Sequence, residues 1–125
     1  MSAKILVVDD SMMVRQQVSR ALIAAGFSVI DAVDGVDALQ KLAANQGTQL
    51  VVCDVNMPRM NGIEFLENLR KDPSFGRVPV VMLTTEGQPE LIQQAKELGA
   101  KGWIVKPFKP ALLVAAVTKL TAAAA

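Results

Sequence analysis

The sequence contains four short apolar runs, each of which ends in polar side chains. The runs are rich in Val and Ile and do not alternate with polar residues, which is typical of strands buried on both faces of a parallel sheet. They are Ile5–Asp10, Leu50–Asp54, Val78–Thr84 and Trp103–Lys106. Because the carboxyl ends of parallel strands lie at one edge of the sheet, that edge is predicted to collect three carboxylates, a hydroxyl and an ammonium group.

The segments between these runs have helical periodicity, so strands and helices alternate along the chain. Ser11 and Asn61 stand at the N-cap positions of two helices, and Glu64 is placed to complete a capping box with Asn61. A weaker strand is predicted at Ser28–Ala32, and a helix is predicted to begin after Asp34–Gly35. This alternation predicts right-handed βαβ units and an α/β fold.

The first and last helices differ in the distribution of their apolar residues. Gly26 is predicted to end the first helix. The apolar residues at helical spacing in the first helix are Val14, Val18, Ala21, Leu22 and Ala25. The last helix begins near Pro110 and directs one stripe inward, comprising Leu113, Ala116, Val117 and Leu120. Its other face is also apolar, at Leu112, Val114 and Ala115. Either a partner covers that face or the helix is simply rich in alanine. The terminal Ala122–Ala125 is either a frayed end or a cloning remnant.

Length and composition restrict the function further. A chain of 125 residues suits one domain, so a single domain over residues 1–125 is expected. A formal charge of +1 lacks the basic excess that binds nucleic acid. No apolar stretch approaches the ~18 residues of a membrane span, and a cytoplasmic protein is expected. The chain has no histidine, which excludes a Ser-His triad and a histidine metal site. The single cysteine, Cys53, is expected to be a buried packing residue.

The polar groups at the strand ends suit phosphoryl transfer. Asp9, Asp10 and Asp54 would repel one another unless a cation neutralised them. Oxygen ligands without His or Cys favour Mg²⁺ or Mn²⁺ over zinc. A divalent cation beside a carboxylate nucleophile indicates formation of an aspartyl phosphate. Lys106 would then bind the phosphoryl oxygens, and Thr84 would donate a hydrogen bond that exists only when phosphate is present.

In these motifs the chain closely resembles the receiver domains of bacterial two-component response regulators, from Lys4 to about Leu120. The shared features are two aspartates after the first strand, one after the third, a threonine after the fourth and Lys-Pro after the fifth. Asp54–Pro58 and Lys106–Phe108 also resemble the stand-alone, CheY-type regulators of chemotaxis. The resemblance implies a flavodoxin-like, doubly wound (βα)5 sandwich without an output domain. Its five parallel strands would have the order 2-1-3-4-5, of which CheY is itself an example.

The resemblance also implies a role for each acidic residue. Asp54 would accept the phosphate. Asp10, Asp54 and the backbone carbonyl of Asn56 would bind Mg²⁺, and Asp9 would assist through a water molecule. The protein would therefore be a signalling protein, not an enzyme, although it would assist its own phosphorylation and dephosphorylation.

Other residues are implied to read or tune the phosphorylated state. Thr84 and Lys106 would contact the phosphoryl group, and the peptide bond between Lys106 and the following proline would be cis and aim the lysine into the site. Asn56 and Glu86 would tune the lifetime of the phosphate. Trp103 stands where the family usually has Tyr or Phe, a ring that turns inward when the threonine moves. The bulkier indole is either a restricted version of that switch or a partly exposed residue that covers the last strand.

The implied partners are a histidine kinase and a downstream protein. A flagellar motor switch protein is the first candidate for the downstream protein, and a histidine phosphotransfer protein is the alternative. The domain could instead relay phosphate or act as a phosphate sink. A monomer is expected, and dimerisation on phosphorylation stays open.

Two functions from other classes fit the residues less well than the switch. A magnesium phosphatase that forms an aspartyl phosphate usually has Asp-x-Asp on its first strand and a cap over the substrate. Here Asp9 and Asp10 are adjacent, and the chain has no room for a cap. A pure interaction module would not need the complete set of polar residues.

Overall fold

Strands and helices alternate along the described part of the chain. The structure, a computed structural model, describes residues 3–85 and 89–124, and in these ranges there are ten elements. They are β1 (Lys4–Val8), α1 (Met12–Ala24), β2 (Ser28–Ala32), α2 (Gly35–Ala44), β3 (Thr48–Asp54), α3 (Gly62–Lys71), β4 (Val80–Thr85), α4 (Pro89–Glu97), β5 (Gly102–Lys106) and α5 (Pro110–Ala124).

The strands of the described ranges form one parallel sheet of five in the order β2-β1-β3-β4-β5. The predicted flavodoxin-like, doubly wound fold is therefore confirmed. The chain moves outward from β1 to β2, then returns to place β3 on the other side of β1. A crevice opens at the carboxyl ends of the strands where the order reverses, and this is the usual place for a site in such a sheet.

The sheet has an apolar cluster on each face. Successive side chains of a strand point to opposite faces, so Ile5 and Val7 of β1 pack in the cluster under α1 and α5, while Leu6 and Val8 pack in the cluster under α2, α3 and α4. Cys53 is fully buried in the second cluster, as predicted, and burial raises the pKa of its thiol.

The N-cap predictions are confirmed. Ser11 Oγ accepts from the N–H of Val14, and the capping box of Asn61 and Glu64 has both of its hydrogen bonds. Gly26 follows α1 with a φ of 98°, as expected for a residue that ends a helix. The prediction that Ala25 belongs to the apolar face is wrong. The helix ends at Ala24, so Ala25 is its C-cap and is exposed.

The outer face of α5 is apolar and partly exposed, with Leu112 the most exposed of its large side chains. Val114 is partly buried and Ala115 is exposed. The last residue of the terminal alanine run lies outside the described residues. Among the helices of the described ranges, none combines the length and the hydropathy needed to cross a bilayer.

Candidate functional site

Three carboxylates meet at the carboxyl edge of the sheet, as their positions at strand ends predict. Asp9 and Asp10 follow β1 directly, and Asp54 is the last residue of the neighbouring β3. One oxygen from each carboxylate lies within 4.8 Å of the others. Asp9 and Asp54 are buried, whereas Asp10 is exposed. This group of oxygen ligands could hold a metal ion.

Lys106, the last residue of β5, links two of these carboxylates. Its Nζ lies 3.0 Å from Asp9 Oδ2 and 3.0 Å from Asp54 Oδ1. Burial by itself would lower the pKa of Lys106, but its hydrogen bonds to Asp9 and Asp54 outweigh burial and the pKa is raised. The peptide bond between Lys106 and Pro107 is cis. The ammonium group therefore remains charged and balances part of the negative charge of the site.

The pKa of Asp54 is raised from its ordinary value of 3.8. The main cause is burial, which disfavours the ionised carboxylate. The hydrogen bond from Lys106 opposes this effect, and the negative charge of Asp9 adds to it. Asp54 is thus held in an environment where a further positive charge would favour its ionised form.

Thr84 lies on β4, next to the strand that carries Asp54. Its side chain is 1% exposed, and within residues 3–85 and 89–124 its Oγ1 has no hydrogen-bond partner. A buried hydroxyl without a partner costs about 1–3 kcal/mol. The neighbouring Thr85 is the last residue of β4 and is exposed, and its side chain points to the opposite face from that of Thr84. Thr84 is therefore the threonine whose hydroxyl is buried and still able to bond.

The loop between β3 and α3 continues from Asp54. The N–H of Val55 donates to the Leu83 carbonyl at 3.1 Å, and the N–H of Gly62 donates to the Val55 carbonyl at 2.9 Å. Any side chain at Gly62 would collide with the backbone carbonyl of Asp54, so glycine is required there. Asn56, whose carbonyl was assigned to the metal by resemblance, is exposed in this loop. The backbone around Asp54 is thus held from both sides.

Trp103 is on β5, away from the carboxylates. The side chain is 37% exposed, and Lys96 Nζ lies 5.3 Å from the centroid of its ring, within the range of a cation–π contact. The indole therefore lies at the surface formed by α4 and β5, and a lysine of α4 covers it. The predicted tuning residue Glu86 falls outside the described residues.

Sequence reasoning missed two arginines that contact residues at the carboxyl ends of β1 and β2. Arg15 of α1 donates to the Asp9 carbonyl at 2.7 Å and to Asp31 Oδ2 at 3.1 Å. Arg59, in the loop after Asp54, forms an ion pair with Asp34. Their sequence positions do not indicate these contacts, because an arginine on a helix or in a polar loop is usually solvated.

Residues 5–118 match the family model described as the response regulator receiver domain. The chain is 40% identical to the chemotaxis protein CheY1 of Helicobacter pylori over 111 residues, which are 88% of this chain and 90% of that protein. It is 37% identical to the chemotaxis protein CheY homolog of Campylobacter jejuni, over 88% of this chain and 85% of that protein.

Solved structures give the same result. Chemotaxis response regulator CheY4 of Vibrio cholerae has a TM-score of 0.88 and 42% identity, over 96% of this chain and 99% of that chain. The receiver domain of NtrX from Brucella abortus has a TM-score of 0.87 and 30% identity, over 94% of this chain and 98% of that chain. With its fold, its acidic cluster and its lysine at the end of β5, this chain belongs to the family of response regulator receiver domains.

Proposed function

We propose that this protein is a phosphorylation-dependent signalling switch in which Asp54 accepts a phosphoryl group from the phosphohistidine of a histidine kinase. The observation that carries the proposal is the contact of Lys106 with both Asp9 and Asp54 inside a cluster of three carboxylates. A lysine in that position can bind the oxygens of an incoming phosphoryl group and keep the acceptor carboxylate in place.

The donor groups fit Mg²⁺, with Mn²⁺ as an alternative. They are carboxylate oxygens, which Mg²⁺ prefers as ligands. The buried hydroxyl of Thr84 lacks a hydrogen-bond partner in the described part of the chain, so it can donate to an anion beside these ligands. Asp10, Asp54 and the Asn56 carbonyl would hold the ion, and Asp9 would assist. Mg²⁺ bound there would neutralise the carboxylates and the phosphoryl oxygens.

The residues of the chain then have distinct roles in the transfer. An oxygen of the ionised Asp54 carboxylate attacks the phosphorus, an O–P bond forms and the N–P bond breaks. The electron pair of the N–P bond stays on the departing imidazole nitrogen. Lys106 binds the phosphoryl oxygens during this step, because its ammonium group already lies 3.0 Å from Asp54. Thr84 donates its hydroxyl to the transferred group.

The output of the switch is a change in surface. Movement of Thr84 toward the phosphate would free space beneath β5, and the exposed Trp103 would respond. The surface formed by α4, β5 and α5 would then change its affinity for a downstream protein. The similarity to chemotaxis proteins supports a flagellar motor switch protein as that partner, with a histidine phosphotransfer protein as the alternative.

The test is incubation with acetyl phosphate, with and without Mg²⁺, followed by intact mass measurement over time. We expect one phosphate adduct that requires Mg²⁺, decays on standing and is absent from Asp54→Asn. An equal adduct in that variant would show that another residue accepts phosphate. Multiple turnovers on a phosphomonoester would instead support a phosphatase.

A second measurement tests the output. Trp103 is the only tryptophan of the chain, so its fluorescence reports one position. We expect the emission to change when beryllofluoride, a phosphate mimic, is added with Mg²⁺. An unchanged spectrum in a sample whose binding is established by calorimetry would contradict a role of Trp103 in the switch.

A further inference from the structure

The loop that follows Asp54 is attached to α2 by an ion pair that the proposed function does not use. Arg59 donates to both oxygens of Asp34, with Nε–Oδ2 at 2.6 Å and Nη2–Oδ1 at 3.1 Å. The carboxylate is 4% exposed, although the arginine side chain is 59% exposed. Asp34 is also the N-cap of α2 and accepts from the N–H of Asp37 at 2.8 Å. The pair thus joins the loop to the first turn of a helix.

The backbone of the loop is shaped for this attachment. Arg59 has a φ of 61°, a conformation that a residue with a side chain rarely adopts unless its surroundings enforce it. The N–H of Met60 donates to the Pro58 carbonyl at 2.7 Å, which closes a tight turn around Arg59. The Met60 carbonyl then accepts from the N–H of Gly35 at 3.0 Å. A Cβ at Gly35 would lie 2.6 Å from Met60 Cγ, so a side chain there would displace the side chain of Met60.

These contacts confine the residue whose carbonyl would bind the cation. On one side, Val55 is hydrogen-bonded to Leu83 of β4, and on the other side Arg59 is paired with Asp34. Asn56 lies in the short segment between these two attachments. Mg²⁺ requires near-ideal octahedral geometry, so its affinity depends on residues that hold its ligands in place.

We propose that the Arg59–Asp34 ion pair is a positioning device for the divalent cation site, which raises cation affinity by holding the Asn56 segment in place. This inference rests on the proposed function, because it requires the cation site. The alternative is that the pair only supports the fold.

The direction in which cation affinity changes when Arg59 is removed distinguishes positioning from simple electrostatics. Arg59 is positively charged, so its removal should strengthen binding of a divalent cation if only charge mattered. If the pair positions a ligand, its removal should weaken binding instead. Arg59→Gly is the suitable change, because glycine adopts a positive φ without strain and so offsets part of the stability that is lost with the ion pair. Asp34→Asn breaks the pair from the other side and keeps an N-cap residue of equal quality.

The experiment measures Mn²⁺ binding from the electron paramagnetic resonance signal of the free ion, and Mg²⁺ binding by competition. The samples are the full chain, Arg59→Gly, Asp34→Asn, the double variant and Arg77→Ala. Arg77 is exposed in the connection between α3 and β4, at the opposite edge of the sheet, so its removal controls for loss of one positive charge. Urea unfolding of each variant separates an effect on the site from an effect on the fold.

We expect the Mn²⁺ dissociation constant to rise about tenfold in Arg59→Gly and similarly in Asp34→Asn, with little further change in the double variant. The urea midpoint of Arg59→Gly should fall modestly, because the buried Asp34 carboxylate loses a partner while glycine relieves the positive φ. The affinity of Arg77→Ala should stay near that of the unchanged protein. Equal or tighter binding by Arg59→Gly would overturn the inference and leave the proposed function intact. Loss of affinity only in proportion to loss of stability would also overturn it. Absence of Mn²⁺ and Mg²⁺ binding by the unchanged protein would overturn the proposed function as well.

Discussion

Replacement of Thr84 by valine should stabilise the unphosphorylated protein. Valine has nearly the shape of threonine, and at this position the hydroxyl is buried and has no hydrogen-bond partner among the described residues. Removal of such a group recovers its desolvation cost, about 1–3 kcal/mol. We take about 1 kcal/mol as the expected gain. With a urea m-value of roughly 1–2 kcal/mol/M for a domain of this size, the unfolding midpoint should rise by about 0.5–1 M.

The same change should weaken the phosphorylated state. A hydrogen bond to a charged acceptor contributes about 1.5–3 kcal/mol, and the valine side chain cannot donate it. Since about 1.4 kcal/mol corresponds to a tenfold change in affinity, Thr84→Val should bind beryllofluoride in the presence of Mg²⁺ about 10- to 100-fold more weakly. The two effects have opposite signs, and a purely structural threonine would not produce that combination.

The assays are urea unfolding without ligand and calorimetric titration with beryllofluoride at saturating Mg²⁺. Thr48→Val is the matched control, because Thr48 is also buried on a strand but its Oγ1 donates to the Asn45 carbonyl at 2.8 Å. That control should lose about 1 kcal/mol of stability. If Thr84→Val were destabilised like Thr48→Val, the hydroxyl of Thr84 would have a partner in the resting protein and the reasoning would be refuted. Unchanged beryllofluoride affinity would refute its role toward phosphate.

Three further predictions concern other charged groups. Arg70 donates to four carbonyls at 2.8–3.3 Å, those of Leu98, Gly76, Val78 and Gly99. Arg70→Met should therefore lower the free energy of unfolding, measured in urea, by about 2–4 kcal/mol, and a loss below about 0.5 kcal/mol would contradict this. The raised pKa of Asp54 means that its folded state holds a proton more tightly. Stability from this group is therefore full below pH 3.8 and is lost as pH rises through the raised value, and Asp54→Asn should remove that part of the pH dependence of unfolding. Lys96→Gln removes the cation over the indole and should shift the emission of Trp103 in the resting protein; an identical spectrum would show that the contact does not persist in solution.

The sequence predicts the part of the site that follows from topology. Parallel strands place their carboxyl ends at one edge of the sheet, so residues at strand ends are predicted to lie close together. The proximity of Asp9, Asp54 and Lys106 could therefore be predicted, although Asp9 and Lys106 are 97 positions apart in the sequence. Helix starts could also be predicted from the sequence, because a capping box such as that of Asn61 and Glu64 is a local sequence pattern. The end of α1 was predicted one residue too late, because the apolar spacing extends to Ala25 whereas the helix ends at Ala24.

The contacts of two arginines, Arg70 and Arg59, could not be predicted in the same way. Arg70 binds backbone carbonyls 28 and 29 positions away along the chain. Every residue has a backbone carbonyl, so the sequence does not indicate which carbonyls an arginine will bind. The ion pair of Arg59 depends on a positive φ that an arginine seldom adopts. It also depends on the position of a helix N-cap 25 residues earlier, at Asp34. Such contacts arise from the tertiary arrangement of loops, which periodicity and capping patterns do not encode.

Two features of the resting site are individually unfavourable: Asp54 is buried with a raised pKa, and Thr84 has a hydroxyl without a partner in the described chain. Lys106, which is shared between two carboxylates, offsets part of the first cost. A ligand shifts a two-state equilibrium only by the difference in its interaction free energy with the two states, and a shift from 1:99 to 99:1 needs about 5.5 kcal/mol. A new hydrogen bond from Thr84 to a charged acceptor supplies about 1.5–3 kcal/mol of this, roughly half at most. In the proposed switch, the rest would come from the new pairing of Lys106 with phosphate and from repacking near Trp103. On this reasoning Thr84→Val should shift only partly toward the active state, whereas a complete shift would place the switching energy elsewhere in the site.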